Sequence, residues 1–73
     1  GSEPARADLA RACARLFRGG DGALVRAHLR ALTVDRHLGP QASDAALRHL
    51  EGQRALVAHL ERLIAEGRAP PGP

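Results

Sequence analysis

Apolar residues recurring at helical spacing between Ser43 and Glu66 constrain this chain more than any other feature. Ala46, Leu50, Val57, Leu60 and Ile64 form one stripe, and Leu56 and Leu63 widen it. One neighbouring helix does not cover so broad an arc, so a longer element with several apolar contacts is expected here. Its middle carries an interruption, Glu51-Gly52-Gln53-Arg54, where a glycine inside a helix costs about 1 kcal/mol relative to alanine. The interruption asks for a reason. Glu51 and Arg54, three residues apart, can pair across one turn. Alternatively Gly52 admits the close approach of another backbone, and Glu51 or Arg54 reaches back to fix a glycine-rich corner at Gly20-Asp21-Gly22.

The rest of the chain reads as two shorter helices. The first starts around Pro4 and runs to about Arg18, with Ala5, Leu9, Ala12, Cys13, Leu16 and Phe17 on one stripe, and Gly19-Gly20 ends it. Asp21 offers a side-chain oxygen to cap the second helix, whose stripe is Leu24, Val25, His28, Leu29 and Leu32 and which fades near Asp35. Gly39-Pro40 breaks any helix, and Ser43 or Asp44 is suited to cap the third. Gly67 closes that helix, and Ala69-Pro70-Pro71-Gly72-Pro73 cannot continue it. With no strand-like alternation and no internal repeat, the expected fold is all-α: a three-helix antiparallel bundle made of a helical hairpin and a long third helix. Gly1-Ser2 reads as a cloning scar, residues 3–67 as a single helical domain and residues 68–73 as a proline-rich tail or linker.

A chain of 73 residues yields only a few kcal/mol of net stability from one core, so self-association is expected to help hold it. The single cysteine, Cys13, flanked by Ala12 and Ala14, fits a small core residue in a reducing, cytoplasmic setting. No apolar run approaches the ~18 residues that span a bilayer, and no membrane role is expected. All eleven basic residues are arginine, the formal net charge is +3, and the eight acidic residues are interspersed rather than blocked. Phe17 is the only aromatic, so there is no stacking platform for single-stranded nucleic acid or RNA bases.

The residue types that carry chemistry are sparse. Of the histidines, His28, His37, His49 and His59, no two stand four apart on a helix, and there is no Cys-x-x-Cys, so neither a metal nor a cofactor is expected. His28 lies in an apolar stripe and reads as a hydrogen-bonded core residue; the others read as surface. No nucleophile stands with a base and an orienting acid in recognisable context, and a catalytic role is not expected. Arg11, Arg15 and Arg18 share one flank of the first helix, and Arg26 and Arg30 one flank of the second. Side by side, those flanks would make a basic face able to contact phosphates without reading sequence. The helix from Gly22 to Thr33 has no Asn, Gln or Ser to read base edges, which argues against sequence-specific binding.

Two patterns read together resemble a known family: Phe17-Arg18-Gly19-Gly20-Asp21-Gly22 followed by Val25 and Leu29, and Glu51-Gly52-Gln53-Arg54-Ala55-Leu56-Val57. They are similar to short helical domains encoded within the structural and packaging gene clusters of tailed phages and phage-derived gene transfer agents. In that family an aromatic precedes an Asp-Gly helix start with Val and Leu behind it, and a Glu-Gly-x-Arg box opens the second half of the final helix. The likeness covers residues 16–64 and departs at Ala31-Leu32-Thr33, where aromatics are common. It implies a part in particle assembly or DNA packaging, most economically as a small-terminase-like component that oligomerises, touches DNA through charge and presents it to the large terminase motor. On that reading Leu50, Leu56, Val57, Leu60, Leu63 and Ile64 supply the surface for self-association or for another protein of the large-terminase or portal type. Arg11, Arg15, Arg26 and Arg30 supply weak, non-specific phosphate contacts, and Gly22, Glu51, Gly52 and Arg54 form an architectural box. Two other readings fit the residues: a docking or adaptor module of a larger bacterial protein assembly, and a sequence-tolerant DNA-binding protein.

Overall fold

The computed structural model describes residues 5–70, and within them the chain is all-α, with three helices in the expected order. Helix α1 spans Arg6–Leu16, α2 Gly20–Leu32 and α3 Asp44–Arg68. The expected start at Pro4 lies outside the described residues; among them α1 begins after Ala5, which is extended and makes no side-chain cap. Ser43 caps α3 as its residue type suggests, its Oγ accepting from the Ala46 N–H at 3.1 Å. Asp21 does not cap α2. The cap position is Gly19, and Asp21 sits inside the first turn, where its charge meets the positive end of the helix dipole instead.

The core forms where α1 packs against the C-terminal half of α3. Ala10, Cys13, Phe17, Leu63 and Ile64 make one buried cluster, with Leu60 packed against it. The buried face of α1 is Ala10, Cys13, Ala14 and Phe17, at helical spacings of three, four and seven, so the stripe read from Leu9, Ala12 and Leu16 is rotated. Small residues set that rotation. A Cβ built on Gly67 would lie 2.6 Å from the Ala10 carbonyl carbon and 2.8 Å from the Ala14 Cβ, so the helices meet with almost no side chain between them. Leucines would hold them apart, and Leu9 and Leu16 are accordingly left on the outside. Gly67 is therefore a contact residue inside α3 rather than its terminator, and the helix runs on to Arg68.

The N-terminal half of α3 is covered differently. Leu50 and Val57 are buried outside the α1 cluster, as is Thr33 at the end of α2, whose hydroxyl donates to the Leu29 carbonyl at 2.7 Å. Helix α2 itself has no buried residue. His28, read as a core histidine, is exposed, as are the other three histidines, and on α2 only Gly22, Arg26, Leu29 and Arg30 are half-buried. Helix α2 thus adds almost nothing to the core.

Candidate functional site

What holds α2 to the molecule is polar and sits at two points. Near its middle, the Glu61 carboxylate accepts from Arg26 Nε at 3.0 Å and from Arg30 Nη1 at 2.7 Å, and the Glu61 side chain is only 14% exposed. Burial pushes that carboxyl up, but the hydrogen bonds and charges of Arg30 and Arg26 outweigh it and hold the group below its ordinary range. At the C-terminal end of α2, Arg54 donates from Nε to the Thr33 carbonyl at 2.9 Å and from Nη2 to the Arg36 carbonyl, while its Nη1 reaches Glu51 Oε1 at 2.6 Å. Carbonyls at a helix end have no partner inside the helix, and a guanidinium with several fixed donors suits them.

These contacts redraw the sequence-level assignments. Arg54 and Glu51 do pair across one turn, but Arg54 fastens the end of α2 and the turn after it, not the corner at Gly20-Asp21-Gly22. The register of α3 decides this, because Arg54 lies near its middle and faces the segment leaving α2. Gly52 admits no other backbone: it is exposed, and a Cβ there would meet nothing within 4 Å. Gly22 is the opposite case. Its added Cβ would lie 2.5 Å from the Phe17 Cα and 2.7 Å from the Phe17 carbonyl carbon, so the α1–α2 corner closes only over a hydrogen at that position.

The expected association surface on α3 is divided. Leu50, Val57, Leu63 and Ile64 are buried within the chain and Leu60 is partly covered, leaving Leu56 exposed. Its breadth is filled from inside, by α1 over one half and by the segment that Arg54 fastens near its middle. The expected basic face is assembled only in part. Arg26 and Arg30 are turned to Glu61, Arg11 pairs with Asp8, and Arg15 has no ion-pair partner among the described residues. Of the flank expected on the first helix, Arg18 alone lines a cleft together with Arg26 and Arg30 of α2.

Besides Leu9, Leu47 and Leu56, the apolar side chains left open lie on α2 and the corner before it. Leu24 is 70% exposed, Leu16 73% and Val25 50%, and Leu32 is also open. Leu16, Phe17, Asp21, Gly22 and Val25 line a recess of ≈ 280 Å³. Sequence reasoning placed Leu16, Leu24, Val25 and Leu32 on inward stripes, where their periodicity alone would put them, passed over Glu61 and Arg68, and read Gly67 only as a helix terminator. A lone carboxylate set among Leu60, Leu63 and Ile64 was the available signal for Glu61. Among the described residues no three His, Cys, Asp or Glu side chains are gathered as a metal site, and no helix is long and apolar enough to cross a membrane.

No curated protein and no solved structure shows significant similarity to the chain. A family described as Bbp19-like phage protein does match, over residues 13–69, which takes in the end of α1, all of α2 and all of α3. With well over half of its 73 residues matched, the chain belongs to the Bbp19-like phage protein family.

Proposed function

We propose that this chain is a non-catalytic assembly module of a phage-like particle, which self-associates through α2 and serves DNA packaging, as a small-terminase-like component, or head assembly. The observation that carries this reading is α2, a 13-residue helix with no buried residue and with Leu24, Val25 and Leu32 open to solvent. A helix of that length is marginal on propensity alone and gains its stability from packing. Burial of such side chains contributes ~1.5–3 kcal/mol each. A second copy is the occupant that fits. Asp21 lines the recess and Arg15 precedes Leu16, neither with an ion-pair partner among the described residues, so a two-fold arrangement can set one against the other around paired apolar residues. The phage family supports the particle setting, and α2 lies wholly inside the matched span.

Light scattering behind size-exclusion chromatography, over a concentration series, tests the proposal. The unaltered chain is expected to run as a defined oligomer, and a chain carrying Leu24→Glu with Val25→Glu as a helical monomer. A ring-sized oligomer supports the packaging role in particular. A monomer at every concentration overturns self-association and turns the reading to a docking module for a different protein.

A further inference from the structure

A second feature lies on the other side of α2, away from the apolar recess. Arg18, Arg26, Arg30 and Arg68 wall a cleft of ≈ 390 Å³ between the corner, α2 and α3, with Phe17 and Glu61 in its lining. Four guanidinium groups there meet the Glu61 carboxylate, and Asp35 stands 4.0 Å from Arg30 Nη2, so the cleft keeps an excess of two positive charges. Such a concentration of one sign in a concave place raises the local concentration of anions.

The donors are not used up. Glu61 takes one N–H from Arg26 and one from Arg30, and Arg68 spends Nη2 on the Phe17 carbonyl at 3.1 Å. The Arg18 side chain has no hydrogen-bond partner among the described residues. Each guanidinium carries five N–H groups, so most still point at solvent or into the cleft. Glu61 does more than neutralise: it holds Arg26 and Arg30 in place before any ligand arrives, which removes part of the ordering cost that long side chains impose on binding. Ala23 and Ala27 on α2 keep the wall between the arginines low. A carboxylate ligand is satisfied by one bidentate arginine, whereas guanidinium groups converging from α2, the corner and the end of α3 suit the several oxygens of a tetrahedral oxyanion.

We propose that the Arg18–Arg26–Arg30–Arg68 cleft binds a phosphate group, presented either as free phosphate or within a nucleic-acid backbone, with Glu61 positioning two of the four arginines. The site is independent of the assembly role of α2, because it uses neither Leu24 nor Val25.

The test is a titration of the full chain followed by the NMR signals of the arginine side-chain N–H groups, with inorganic phosphate in one arm and a short double-stranded DNA of arbitrary sequence in the other. Saturable shifts concentrated on Arg18, Arg26, Arg30 and Arg68 are expected. Arg18→Ala should weaken binding about tenfold, as for the loss of a charge-assisted contact. Arg48→Ala, an equal loss of charge near the far end of α3, should change it by less than about twofold. Neither arginine side chain has a hydrogen-bond partner among the described residues, so both variants retain the fold and a circular dichroism spectrum checks it. Saturation in both arms with the same dependence on Arg18 assigns the source to nucleic acid, and saturation by phosphate alone assigns it to the free ion. Shifts spread evenly over all arginines, or equal weakening by the two variants, would show only general charge and overturn the proposal.

Discussion

At Gly22 and Gly67 a single added methyl group would meet backbone that cannot step aside, whereas at Gly52 it would meet nothing. All three glycines lie within helices, so alanine would gain the same helical propensity at each, and packing decides the sign of the change. Gly22→Ala and Gly67→Ala are expected to destabilise the chain by about 1–3 kcal/mol, as overpacked sites do, and Gly52→Ala to stabilise it by about 0.5–1 kcal/mol. Thermal melts of the three single variants check this, and equal shifts of one sign would contradict the close approaches. Of the two glycines that the sequence singled out, Gly22 meets backbone and Gly52 does not. Gly52 stands out because its neighbours are strong helix formers, but which glycine is needed depends on where another part of the chain crosses, and linear order does not show the crossing of Ala10 over Gly67.

Among the elements, α2 is held by charge and hydrogen bonds where α1 and α3 are held by apolar burial. Glu61 is the clearest handle on that difference. Its folded pKa lies below the ordinary value of 4.5, so its clasp contributes stability at neutral pH that is lost as pH falls through the lowered value. Glu61→Gln should therefore lower the melting temperature at neutral pH, by an amount corresponding to about 1.5 kcal/mol, and the gap from the parent should close as pH falls through the lowered value. Glu66, held low by its hydrogen bonds from Arg6, loses its own pair in the same acid range in both proteins, so only the difference between them reports Glu61. A gap unchanged down to acid pH would show that the carboxylate charge contributes nothing. The helices themselves were legible, because caps, glycines and apolar period are local: Ser43, Gly39-Pro40 and the stripe of α3 gave their places to within a few residues. Which face each helix buries was not legible. That depends on interhelical distance, and the small residues Ala10 and Ala14 displaced the leucines expected inward on α1.

For the molecule as a whole, the buried apolar set is small: Ala10, Cys13, Ala14, Phe17, Leu50, Val57, Leu63 and Ile64, none of them from α2. A core of this size leaves α2 the least protected element of the isolated chain, and its open leucines give it reason to be covered in an assembly. Length and composition led to the expectation of self-association, and the sequence placed it on α3, whereas the open apolar side chains of α2 are the basis of the proposal made above. The broad arc on α3 looked unpartnered only because the sequence does not show that α1 and the segment after α2 fill it from within. The proposed assembly through α2 would tie fold and function together, and hydrogen exchange at individual backbone amides, measured over a protein concentration series, tests it most directly. The amides of α2 should exchange much faster than those of α1 and the second half of α3 in dilute protein, and should gain protection as concentration rises, while the Leu24→Glu, Val25→Glu variant gains none. Amides of α2 as protected as those of α3 at the lowest concentration, and unchanged at the highest, would contradict the account.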